Sequence, residues 1–146
     1  MFLGEFQHSI DAKGRMAIPA KYRTRIERGA VLTRGVDSCL YVYPAEVWEA
    51  KAAALEALIT DPRKLRYVER HFFGGAVECE LDAQGRIIIP ARYRSHAGLR
   101  AANGNGPVEA IILGARERFE IWSPDRWEAY LRESEPEDLA SLPLPF

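Results

Sequence analysis

Apolar and polar positions alternate from the start of the chain. Phe2, Phe6, His8 and Ile10 share one parity, while Glu5, Gln7 and Ser9 occupy the other. A period of two predicts a strand with one buried face. The pattern returns at Gly75, Val77, Cys79 and Leu81, set against Glu78 and Glu80. Each strand runs into a polar tetrapeptide, Asp-Ala-Lys-Gly at 11–14 and Asp-Ala-Gln-Gly at 82–85. Asp bonds nearby backbone and Gly accepts positive φ, so both predict turns. Arg15 to Ile18 and Arg86 to Ile89 leave the turns as short strands, ended by Pro19 and Pro90. Each proline is expected to open a short helix at the first helical position.

A period near 3.6 takes over in the middle. Trp48, Ala52, Leu55 and Ile59 form one stripe, and Asp61-Pro62 reads as an N-cap followed by proline. Leu65, Val68 and Phe72 make a second stripe that Gly74-Gly75 stops. Ser123-Pro124 starts a last helix through about Glu133, and Pro136, Pro143 and Pro145 predict an irregular, acidic tail.

These patterns are one pattern written twice. Residues 11–23 return as residues 82–94 at an offset of 71 (82 − 11), with Asp, Ala, Gly, Arg, Ile, Pro, Ala, Tyr and Arg in register. Further on, Gly35 aligns with Gly114, Tyr43 with Trp122 and Trp48-Glu49 with Trp127-Glu128, at an offset of 79 (127 − 48). The later copy is therefore expected to carry eight extra residues, placed in the Gly- and Asn-rich segment 100–107. Each copy reads as strand, turn, strand, short helix, hairpin and helix start, an α+β unit. A repeated basic turn implies a duplicated binding surface.

A net charge of −1 over 146 residues hides a local imbalance. Between Asp11 and Arg28, six bases face Asp11 and Glu27; between Asp82 and Arg100, four bases face Asp82 alone. From Asp125 onward acids outnumber bases, so global neutrality says little about partners. No apolar run is long enough to span a bilayer, and the N-terminus lacks a signal-peptide pattern, so a cytoplasmic protein is expected. Cys39 and Cys79 form no Cys-x-x-Cys pair and read as buried thiols. His8 reads as core, and His71 and His96 lack ligand spacing, so no metal or cofactor is expected. Gly104 and Gly106 lack the Lys-Ser/Thr of a phosphate-binding loop.

The residues carry a resemblance to a known family. Met1 to Ile10 followed by Asp11-Ala12-Lys13-Gly14-Arg15, together with Leu32-Thr33-Arg34-Gly35, Arg70-His71-Phe72-Phe73 and Arg118-Phe119-Glu120-Ile121-Trp122, resembles the MraZ family of bacterial transcriptional regulators. The resemblance implies two tandem SpoVT-AbrB-like swapped-hairpin β units about a pseudo-twofold, with flanking helices. The units would occupy 5–48 and 75–127, joined by helices at 49–73 and followed by a helix end and acidic tail at 128–146. It also implies a ring-shaped homo-oligomer, associated with the nucleoid, that binds direct repeats in promoter DNA and represses its own division and cell-wall gene cluster. The DNA-contacting signature would fall on Asp11 and Arg15 and on Asp82 and Arg86, with Gln84 standing where the first copy has Lys13.

Chemistry fits these assignments. An arginine fork matches O6 and N7 of guanine, whereas Lys13 and Lys21 suit phosphate. Arg23 and Arg94 are weaker candidates, facing either a helix or the groove. The Asp–Arg pairs have a second reading as ion pairs that pin a hairpin. Tyr22 and Tyr93 read as packing residues, while Trp48, Trp122 and Trp127 read as core or interface anchors. No nucleophile–base pair stands out, so an enzyme is not expected. The competing class is a structural or protein-interaction ring without specific DNA binding.

Overall fold

A computed structural model describes residues 1–134 and 136–146. The elements in chain order are β1 (Glu5–Ile10), β2 (Arg15–Ala17), α1 (Ala20–Arg23), β3 (Ala30–Arg34), β4 (Leu40–Pro44), α2 (Ala45–Leu58) and α3 (Pro62–Phe72). They continue as β5 (Val77–Cys79), β6 (Arg86–Ile88), α4 (Ala91–His96), β7 (Val108–Gly114), β8 (Phe119–Trp122), α5 (Pro124–Glu133) and α6 (Pro136–Ala140). The strands form one antiparallel sheet in the order β5-β3-β4-β8-β7-β1-β2-β6. Its end strands, β5 and β6, are joined through the 82–85 turn, where Asp82 N–H donates to the Arg86 carbonyl at 2.8 Å. The sheet thus curls into a nearly closed barrel, and the fold is α+β.

Exchanging the two copies leaves this order unchanged. β1 pairs with β7 of the later copy, and β5 with β3 of the earlier one. β2 pairs with its own counterpart β6, Met16 opposite Ile87 (87 − 16 = 71). β4 likewise pairs with β8, Tyr41 opposite Glu120 (120 − 41 = 79). A pseudo-twofold axis therefore runs through both pairs, and each copy lends its first strand to the other.

The ladder corrects the hairpin alignment. Leu32 pairs with Val42, and Ile112 with Ile121. Because Val42 and Ile121 are equivalents, Leu32 matches Ile112 (112 − 32 = 80), and Gly114 matches Arg34 rather than Gly35. The later copy gains nine residues before β7 (80 − 71) and loses one inside the hairpin (80 − 79). The two glycines answer different crowding: a Cβ at Gly35 would strike Cys39 Sγ and the Tyr41 ring, and one at Gly114 would strike the Leu3 backbone.

Two further expectations change. Pro19 and Pro90 are N-caps with extended ψ of 134° and 154°, so α1 and α4 begin one residue later than expected. Pro62 and Pro124 do hold the first helical position, behind Asp61 and Ser123, whose side chains accept from Arg63 and Lys64 and from Arg126. The tail is not wholly irregular, since α6 interrupts it.

Inside the barrel, Met16, Ile18 and Tyr22 of the first copy pack with Ile87, Ile89 and Tyr93 of the second. Phe2 closes this core, its ring edge-on to Tyr22 at 4.9 Å. The central hairpins are buried on both faces, which explains the near-continuous apolar run of β4. Their outer face carries a second cluster, Cys39, Tyr41, Tyr43, Ile111 and Trp122, against which Trp48, Phe72 and Trp127 pack. There the Glu120 carboxylate, 7% exposed, accepts from Arg118 Nε and Nη2 and from Trp122 Nε1.

Met16 and Ile87 face inward on the axis while Ile88, beside them, is 59% exposed. Ile87→Ala should lower unfolding free energy by about 2–5 kcal/mol, whereas Ile88→Ala should stay within about 0.5 kcal/mol of wild type. Chemical denaturation of both variants checks the contrast.

Candidate nucleic-acid interface

The two repeated turns fold identically. Asp11 Oδ1 accepts the backbone N–H groups of Lys13 and Arg15, each at 2.9 Å, and Oδ2 takes Arg15 Nε–H at 2.7 Å. Asp82 accepts in the same way from Gln84 at 2.9 Å, Arg86 N–H at 3.0 Å and Arg86 Nε at 2.9 Å. Each turn needs its glycine: Gly14 and Gly85 have φ of +83° and +76°, a region costly for residues with a Cβ.

Asp11 and Arg15 side chains are 36% and 32% exposed, and an ion pair that wet adds little to stability. Its consequence is orientation. Each aspartate holds Nε alone, and the η nitrogens of Arg15 and Arg86 meet no protein partner among the described residues. One geometry thus accommodates both readings of the pair: Asp pins the turn, and the outer fork of Arg stays open.

The β2–β6 ladder sets the turns side by side. Ile18 N–H donates to the Gly85 carbonyl at 3.0 Å, and Ile89 N–H to that of Gly14 at 2.7 Å. Arg23 and Arg94 brace the pair crosswise. Arg23 Nε caps the Ile18 carbonyl at 2.8 Å and lies against Gly85, while Arg94 Nε caps Ile89 at 3.0 Å and lies near Gly14. A Cβ at Gly85 would fall 2.5 Å from Arg23 Nε, so that glycine also makes room for the brace. Both arginines face the other copy's turn.

Across the ladder Arg15 lies opposite Ile88, and Ala17 opposite Arg86. These four share the outward face, since Met16 and Ile87 between them are buried. Lys13 and Gln84 are exposed at the turn tips. The structure therefore brings together Asp11, Lys13, Arg15, Asp82, Gln84 and Arg86. Lys21 stands apart, its ammonium 4.9 Å from the ring centroid of Phe6 on β1. Ile88 is the member of this face that sequence reading passed over; its signal was its shared parity with Arg86.

Hydrogen bonds from backbone N–H, above all that of Arg15, hold the Asp11 carboxyl below its ordinary range. Arg86 N–H does the same for Asp82. Away from the turns, Tyr22 and Tyr93 are 1% and 2% exposed and pack in the core. Burial pushes the Cys39 and Cys79 thiols up to about 12, so both stay protonated at neutral pH. No helix among the described residues is long and apolar enough to cross a membrane.

Comparison with known proteins places this arrangement. The family described as "MraZ protein, putative antitoxin-like" matches residues 1–66 and 72–142, which include both turns. The chain belongs to the MraZ family. Among its MraZ relatives, a protein of Ligilactobacillus salivarius is 42% identical over 100% of this chain and 99% of its own length. One from Heliobacterium modesticaldum is 44% identical over 93% and 90%, and one from Pelotomaculum thermopropionicum 48% over 89% and 85%. All three bear the name transcriptional regulator MraZ.

The lowered carboxyls carry a pH signature. A folded pKa below the unfolded one contributes stability that is present above the unfolded value and lost as pH falls through the folded value. Carbon-13 titration should therefore place both aspartate midpoints below the ordinary 3.8. Protection of the Arg15 and Arg86 amides should fade in that same acid window and not above it.

Proposed function

We propose that this protein is a sequence-specific DNA-binding transcriptional regulator whose reading surface is the paired turns. The observation that carries this is the open η fork of Arg15 beside that of Arg86, each aimed by its own aspartate on one face. Such forks suit guanine O6 and N7 in the major groove. Lys13 supplies a phosphate contact that Gln84 does not, so the first copy binds more strongly. Ile88 offers an apolar surface next to Arg15, suited to a thymine methyl group. Lys21, off this face, contributes at most to backbone phosphate. The MraZ names of the relatives support regulation of transcription, and repression of the protein's own division and cell-wall gene cluster is the form we infer.

One chain presents few bases, so affinity for direct repeats requires several copies in a ring. Exposed Leu58 and Tyr67, 77% and 72% open on α2 and α3, support contacts of that kind. An apolar hollow beside Tyr67, formed with Ile59 and Val68, has the same character. The units at 5–48 and 75–127 would then act as one reading head, with the segment 49–73 as the oligomer contact.

A salt-titrated binding assay on DNA from upstream of the protein's own gene tests the reading surface. Arg15→Ala should cost about 1–3 kcal/mol of discrimination, roughly 5- to 150-fold. Arg86→Ala should weaken binding less, and Lys13→Gln should flatten the salt dependence by about one phosphate contact without changing base preference. Unchanged selectivity in Arg15→Ala would leave a structural ring as the better reading. Light scattering of Leu58→Glu and Tyr67→Glu checks the assembly, and a particle reduced toward monomer is the expected result.

A further inference from the structure

Two exposed surfaces of this chain complement each other, and one of them is α3. Arg63, Tyr67 and Arg70 follow at i, i+4 and i+7, so one stripe of the helix holds an aromatic ring between two cations. Tyr67 lines an open hollow of about 620 Å³ together with Ile59, Asp61, Arg63, Lys64 and Val68. The Asp61 carboxylate is turned to the helix start, where it caps the N–H groups of Arg63 and Lys64. Arg63, Lys64, Arg66 and Arg70 are exposed, stand against Glu69 alone on α3, and make no ion pair among the described residues. The face is apolar in the middle and positive around it.

The other surface is the tail, which has the opposite charge. From Ser134 onward it holds Glu135, Glu137 and Asp138 and no base. Leu139, Leu142 and Leu144 are 64%, 53% and 45% exposed, so their own copy leaves them largely uncovered. Apolar side chains gathered in this way mark a contact surface. Pro143 and Pro145 alternate with these leucines and restrict the free chain, which lowers the entropy lost on docking. Proline-rich segments of this kind seat in aromatic-lined grooves, and Tyr67 supplies the ring.

We propose that residues 138–146 of one copy dock on the α3 hollow of a second copy. The inference rests on the ring reading and names the segment that makes each joint. Leu142 and Leu144 would cover Tyr67, Ile59 and Val68, while Asp138 and its acidic neighbours would face Arg63, Lys64 and Arg70. Tail and hollow are different surfaces, so one joint leaves a free hollow on one copy and a free tail on the other. Such joints propagate until a ring closes.

Sedimentation of the full-length protein without DNA tests this. Leu142→Asp/Leu144→Asp, at exposed positions outside the core, should raise the concentration needed for assembly roughly tenfold or more. Arg63→Glu/Arg70→Glu and Glu137→Lys/Asp138→Lys should each do the same alone. An equimolar mixture of those two variants should regain the wild-type mass, because each tail then meets a face of opposite sign on the other protein. No recovery in the mixture would overturn docking between copies. Tyr67→Glu particles that shrink while Leu142→Asp/Leu144→Asp particles keep wild-type mass would overturn the tail as occupant and leave the ring reading standing. A monomeric wild type would remove both. Arg63→Glu/Arg70→Glu that assembles normally but binds DNA less well would assign the α3 charges to nucleic acid instead.

Discussion

The short β2–β6 ladder is the constraint on which the rest depends. Three residue pairs, centred on Met16 opposite Ile87, join the two copies at the point where each must reverse direction. The flanking bonds from Ile18 and Ile89 to the glycine carbonyls of the opposite turn tie each reversal to its twin. Alternation along the same three residues sends Met16 and Ile87 into the core and Arg15 and Arg86 outward. Core closure and surface presentation are therefore two faces of one register, and a one-residue slip would lose both.

The axis has two unlike poles. At β2–β6 the copies present nearly the same chemistry, differing at Lys13 against Gln84 and Ala17 against Ile88. At β4–β8 the equivalents are Tyr41 and Glu120, and Arg118 lies 4.1 Å from the Tyr41 ring centroid while paired with Glu120. Symmetry is kept in the backbone and abandoned in side chains where the dry aromatic cluster packs. A nearly buried carboxylate is accommodated there because Arg118 and Trp122 donate to its two oxygens.

Much of this was legible in the residues themselves. Local chemistry carries far when it is self-contained: Asp11 and Asp82 bond within their own turns, and Asp61 and Ser123 cap their own helices. What escaped reading depends on groups distant in sequence. The shared glycines suggested Gly35 opposite Gly114, yet ladder register, not residue identity, decides equivalence, and each glycine yields to a different neighbour. Pro19 and Pro90 stay extended because they continue strands that are still bonded to the opposite turn. Arg23 and Arg94 looked ambiguous because, besides capping Ile18 and Ile89 of their own copies, each packs against a turn glycine of the other copy.

Covalent joining of the copies has a consequence for direction. Two identical subunits related by a twofold must present identical halves, and such a surface has no front or back. Here one polypeptide supplies both halves, so each position is free to drift on its own. Lys13 and Ala17 at one end, with Gln84 and Ile88 at the other, give the face a polarity that a symmetric dimer cannot have. On the DNA partner we propose, such a polarity would favour one sense of lying along it, and successive copies would then line up head to tail instead of mirroring one another.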